Sequence, residues 1–172
     1  MPHPRPKPHS PAPKAPGLKA PVATNTQKAQ RRAVIDSKIR DALGLADAAP
    51  VGPAERSRVT NLSFSDYELT DVGAAMLADP ETGLMSLATL SVYDSEVTDA
   101  GLAALTRPDT GLKALTTLRL GNLSVSTAGL KALARAKTGL KALTTLVLRH
   151  TKVTDAGVAA IKKRFPGIII FR

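Results

Sequence analysis

From Val59 onward the apolar positions change period twice within every 28 residues. A strand-like run comes first, with apolar residues at Leu87, Leu90 and Val92, then at Leu115, Leu118 and Leu120, then at Leu143, Leu146 and Leu148. The next inward residue is Val97, Val125 or Val153, after which the spacing turns helical. In T-D-A-G-L-x-x-L, Leu102 and Leu105 share one face at i, i+3, Thr98 or Thr154 suits the N-cap, and Asp99 or Asp155 suits the positive end of the helix dipole. The same words recur as VTDAGLAAL at 97–105, VSTAGLKAL at 125–133 and VTDAGVAAI at 153–161, with a drifted LTDVGAAML at 69–77. A T-G-L turn separates the units at 82–84, 110–112 and 138–140, and its glycine is expected to supply a positive φ. The register places Gly167, Ile168 and Phe171 in the positions of Gly139, Leu140 and Leu143, so the chain is expected to stop as a fifth strand begins. A period in this range predicts a solenoid in which each unit buries its apolar face against its neighbours.

The segment before Val59 does not share this pattern. Ile35, Ile39 and Leu43 recur at four-residue steps, which predicts a helix over 26–47 capped by Thr26 and ended by Gly44 or Pro50. Arg31 and Asp36 occupy the register positions of Leu and Val, so this is not a further repeat. It is expected to cap the solenoid edge, the rival reading being a basic helix for a partner or a membrane, against whose membrane version Asp36 and Asp41 weigh. Residues 1–22 hold eight of the 13 prolines and no acid, so residues 1–25 are expected to be a disordered tail. Arg5, Pro8 and Pro11 match R-x-x-P-x-x-P, a match that proline density alone makes easy. The organisation read from the sequence is a tail at 1–25, a helix and linker at 26–58, and a repeat domain at 59–172 divided as 59–86, 87–114, 115–142 and 143–172.

The L-x-x-L-x-L runs and the V-T-D-A-G-L words resemble the leucine-rich repeat family. Their length is similar to the ribonuclease-inhibitor-like class, and the V-T-D-A-G-L wording to bacterial versions of it. The resemblance implies an α/β fold: a right-handed solenoid in a short arc, with a concave parallel sheet, convex helices, and protein partners held on the concave face. Tyr67, Ser95, Leu123 and Thr151 stand where the family often has Asn or Cys, a departure from the residues that form its usual buried polar ladder.

Composition narrows the chemistry. The 172 residues contain no cysteine, which excludes disulfides and thiolate metal sites and fits a reducing, cytoplasmic setting. Aromatics make up 3% of the chain, so the core must be aliphatic. The basic N-terminus lacks the apolar stretch of a signal peptide, and no run of 18 apolar residues exists to span a membrane. The net charge of +10 is divided into +7 over residues 1–58, −8 over 59–112 and +11 over 113–172. The basic tail is expected to lie loosely over Asp66 and Asp94, the alternatives being weak head-to-tail association between copies and a merely solvated charge pattern.

The register also sorts the exposed strand positions. Column five reads Ser63, Ser91, Arg119, Val147; column seven reads Ser65, Tyr93, Gly121, Arg149; column eight reads Asp66, Asp94, Asn122, His150. His150 and Asp94 fall two strands apart, about 10 Å, too far for a base and its orienting carboxylate. Asp66 and Asp94 are neighbours, but an open sheet offers no dry cleft for paired-carboxylate catalysis. Pro2 lacks the N–H that an amino-terminal copper site at His3 would require. No phosphate-cradling glycine loop is present. The sequence therefore predicts a non-catalytic protein-binding module without cofactor or metal, whose concave surface comprises Ser91, Tyr93, Asp94, Arg119, Asn122, Arg149 and His150. Tyr93 is expected to be its anchor. The alternative is nucleic-acid association through the tail and the Lys/Arg-rich C-terminal half, against which the scarcity of aromatics and the acidic stretch weigh. The protein is expected to be a monomer or to self-associate weakly.

Overall fold

The computed structural model describes residues 25–135 and 137–172. It opens with α1 (Asn25–Leu43) and α2 (Pro53–Arg58), then alternates β1 (Asn61–Phe64), α3 (Asp71–Ala78), β2 (Thr89–Tyr93), α4 (Asp99–Leu105), β3 (Thr117–Gly121), α5 (Thr127–Leu133), β4 (Thr145–Arg149), α6 (Asp155–Arg164) and β5 (Ile169–Phe171). The five strands form one parallel sheet in chain order. Consecutive helices α3 to α6 pack beside one another. Between the layers lies one aliphatic core built from the repeating columns. Leu62, Leu90, Leu118 and Leu146 face inward from the strands, and Leu77, Leu105, Leu133 and Ile161 from the helices, all buried. Each such leucine removed from water contributes about 2 kcal/mol.

The pairing register is 28 through the first four strands, as Leu62↔Leu90, Leu90↔Leu118 and Leu118↔Leu146 show. It changes at the last one. Leu146 pairs with Ile170 and Val147 with Phe171, an offset of 24. Phe171 therefore does not take the buried place of Leu143; it lies on the outer side of the sheet and is 52% exposed. The cause is local. Helix α6 runs for 10 residues where α5 runs for 7, and the chain turns directly at Gly167, φ 90°, so Ile168 and Ile170 reach the core without the usual approach.

At the other end α1 packs on β1 and α3 and buries Ile35 and Ile39 against the core edge. Thr26 lies inside this helix rather than capping it, and the helix stops at Leu43, before Gly44 with φ 63°. Two ion pairs tie α1 down. Lys38 meets Glu68 at 2.7 Å, and Asp36 receives a hydrogen bond from Nη2 of Arg56, which is 4% exposed. Burial raises the Glu68 pKa, but the Lys38 hydrogen bond and the Ser65 N–H outweigh it and hold the carboxyl below its usual range. The tail assigned to residues 1–25, with Arg5, Pro8, Pro11, His3 and His9, lies outside the described residues except for Asn25, which begins α1.

A polar ladder that the sequence pattern conceals joins the units. Asp71 does not serve its own helix. It accepts from the backbone N–H of Thr98 at 2.7 Å, the Thr98 hydroxyl at 2.7 Å and the N–H of Gly101 at 2.9 Å. One unit on, Asp99 accepts from the N–H of Ser126 at 2.7 Å and from its hydroxyl at 2.6 Å. The aspartate and glycine of T-D-A-G thus form one device split across a repeat boundary. A Cβ at Gly101 would lie 2.4 Å from Asp71 Oδ1, and one at Gly129 would lie 2.3 Å from Asp99 Oδ1. The T-G-L glycines obey a similar constraint. Gly83 has φ 77°, but positive φ is not found at Gly111 or Gly139, where a Cβ would meet the Pro80 Cα at 3.0 Å and the Arg107 carbonyl oxygen at 2.3 Å. Their need is close backbone approach rather than a left-handed turn.

The ladder weakens once. Thr127 replaces the aspartate, so the N–H of Thr154 donates to a hydroxyl at 3.0 Å and the two threonine hydroxyls lie 2.9 Å apart. Asp155, the last aspartate of the series, pairs with Arg172. Thr127→Asp should restore charge-assisted bonds to the N-terminus of α6 and raise stability by about 1 kcal/mol. Urea unfolding followed by circular dichroism would show it as a higher midpoint; a lower midpoint would mean that the hydroxyl pair is the better fit.

Candidate functional site

The outer side of the sheet carries its side chains in rows set by the strand register. The first row is Ser91, Arg119, Val147 and Phe171, paired in turn across β2, β3, β4 and β5. The second is Tyr93, Gly121 and Arg149, across β2 to β4. Ser91 is buried at 6% exposure and Val147 at 8%, so neither presents much surface. Arg119 and Arg149 are exposed. Neither guanidinium makes a hydrogen bond or ion pair with any described residue. Tyr93 is half-buried because its ring leans across Gly121: a Cβ there would lie 2.3 Å from the ring's Cδ1. Glycine at this point makes room for the tyrosine, and the pair leaves the sheet uncovered between the two arginines.

Asp94, Asn122 and His150 follow the strands directly and have φ of 47°, 50° and 52°. Asp66 takes the same conformation at 52°. Aspartate, asparagine and histidine are among the few residues enriched in left-handed backbone, so column eight answers first to the turn that ends each strand. Asn122 Nδ2 donates to Asp94 Oδ1, linking neighbouring units along this rim. His150 stands one strand beyond Asn122, so the rim does not bring a histidine onto Asp94. Two exposed aromatics were absent from the predicted surface. Tyr67, at φ 65° and 70% exposure, swings outward where Ser95 and Leu123 of later units turn in. Phe171 arrives beside Val147 through the shortened last pairing. A rim of left-handed turns gives no sequence signal for Tyr67, whereas the P-G turn directly after K-K-R-F could have flagged the change at Phe171.

Tyr93, Arg119, Val147, Arg149 and Phe171 line one open depression of about 340 Å³. The predicted surface residues thus separate into this two-arginine group and the turn rim of Asp94, Asn122 and His150. A second hollow of about 400 Å³ lies between α1 and β1, where Lys38 is already committed to Glu68. Among the described residues no three His, Cys, Asp or Glu side chains converge as a metal site would require, and no helix is long and apolar enough to cross a membrane.

The fold and face define a parallel α/β repeat protein with an open, polar sheet surface. A family model described as Leucine Rich repeat matches residues 140–162, which cover the approach to β4, β4 itself and most of α6. Over that segment the chain is similar to leucine-rich repeats, and the five-stranded parallel sheet is compatible with their fold. No curated protein matches the chain.

Proposed function

We propose that this chain is a non-catalytic protein-interaction module that holds its partner on the outer face of the sheet, the concave face of a right-handed arc. The observation that carries the reading is the pair of exposed arginines, without an ion-pair partner among the described residues, beside a half-buried tyrosine in one open depression. Interface energy concentrates in Tyr, Trp and Arg, and a shallow open surface suits a macromolecule better than a small substrate. The repeat match supports a scaffold role of this kind. The ribonuclease-inhibitor-like class with bacterial-type V-T-D-A-G-L words remains the resemblance behind the arc and its handedness.

Affinity capture with the full chain, with and without nuclease, tests the reading. Partner proteins should persist after nuclease and weaken about ten-fold or more when Tyr93→Ala is combined with Arg149→Ala. Capture unchanged in that variant places the interface elsewhere, and capture lost to nuclease replaces a protein partner with nucleic acid.

A further inference from the structure

We infer that the depression selects an acidic, extended segment of the partner protein, with Arg119 and Arg149 clamping carboxylates and the exposed Phe171 seating an apolar side chain further along. This rests on the sheet face being the binding surface. Arg119 pairs across the sheet with Val147, and Arg149 lies two residues beyond Val147 on β4. Strands about 4.8 Å apart and a two-residue step of about 6.6 Å put the two arginine Cα atoms about 8 Å from each other. Two long guanidinium side chains at that separation can converge on one carboxylate or hold two adjacent ones, each with a bidentate geometry.

Among the described residues nothing compensates this pair. Like charges on diagonal sheet positions repel. The neighbouring Asp94 carboxylate accepts from Asn122 rather than from either arginine. An incoming anion relieves that repulsion. The equivalent diagonal positions of the preceding units are Ser63 and Tyr93, then Ser91 and Gly121, so the cationic pair forms where β3 meets β4.

The surroundings favour a peptide over a polyanion. Beyond Arg119 the row passes the buried Val147 to the half-exposed Phe171, an apolar seat that a phosphate backbone would not use. From Arg119 to Phe171 is two strand spacings, about 10 Å, which is about three residues of extended chain. The ligand should therefore carry an acidic and an apolar side chain about three residues apart.

Fluorescence anisotropy with the full chain tests this. The probe is a labelled Ser-Glu-Glu-Ser-Ser-Phe-Gly peptide, compared with a form carrying Gln for both Glu, a form carrying Ser for Phe, a form carrying Lys for both Glu, and a ten-nucleotide oligouridine. The acidic probe should saturate. Exchange of Glu for Gln should weaken it about ten-fold or more, and loss of Phe several-fold. Arg119→Gln with Arg149→Gln should cost as much as removing the glutamates. Lys113→Gln with Lys141→Gln, the same charge change at the turns before the strands, should leave affinity within about two-fold. Arg119→Glu with Arg149→Glu should reverse the preference toward the lysine form. The inference is overturned if the acidic probe does not saturate, if acidic and neutral probes bind alike, if the lysine and arginine variants lose equally, or if oligouridine binds through the arginine pair more tightly than the peptide. Should the probe fail while Tyr93→Ala with Arg149→Ala still abolishes partner capture, the ligand chemistry alone falls; if capture is also unaffected, the sheet-face reading falls with it.

Discussion

Asp36→Ala should destabilise the protein by about 3 kcal/mol or more, the largest effect expected of a surface-proximal substitution here. Asp36 pairs with the buried Arg56, and Nη1 of that arginine has no hydrogen-bond partner among the described residues. Removing the carboxylate strands a cation in the interior and unties α1, whose Ile35 and Ile39 close the apolar edge of β1 and α3. Urea unfolding would measure the loss. Arg56→Met in the Asp36→Ala background should recover much of it, since the stranded charge is gone. A loss below about 0.5 kcal/mol would mean that the pair is solvated and that α1 is held by its isoleucines alone.

Asp99→Ala should cost about 2–3 kcal/mol, because it deprives both the N–H and the hydroxyl of Ser126 of a charged acceptor. The sharper test is a cycle with Gly129→Ala. In the native background the new Cβ would lie 2.3 Å from Asp99 Oδ1, whereas after Asp99→Ala that oxygen is absent. The double variant should therefore be more stable than the sum of the two losses, by about 1 kcal/mol or more. Strict additivity would show that glycine and aspartate act separately.

The strands and their parallel stacking are legible in the sequence because leucine columns recur wherever burial recurs. Leu62, Leu90, Leu118 and Leu146 need no further information. What stays hidden is carried by contacts between units. Asp99 reads as a dipole residue of its own helix, and nothing in one repeat reveals that its acceptor role belongs to Ser126, 27 residues later. Asp36 and Arg56, 20 residues apart outside the repeats, have no period to betray them. At the candidate face, the rows of Arg119, Tyr93 and Arg149 follow from counting. The left-handed backbone of Asp94, Asn122 and His150 does not, because a polar column reads the same whether it serves a turn, a partner or both. Phe171 leaves its 28-residue register position because the pairing offset becomes 24 after the last full unit.

The hydroxyl contact between Thr127 and Thr154 bears on cooperativity. In a linear array, the free energy coupling adjacent units decides whether the chain melts as one body or in stages. Carboxylate bridges couple α3 to α4 and α4 to α5, but α5 meets α6 through two neutral hydroxyls. Among these three joints the last alone lacks a carboxylate bridge, so sub-global opening is expected to start there, releasing α6 and β5 while the preceding units stay closed. Arg119 lies on the retained side of that joint and Phe171 on the released side. A ligand that touches both acts as a clasp across the weakest boundary, so its affinity and the persistence of the terminal unit become one thermodynamically linked quantity.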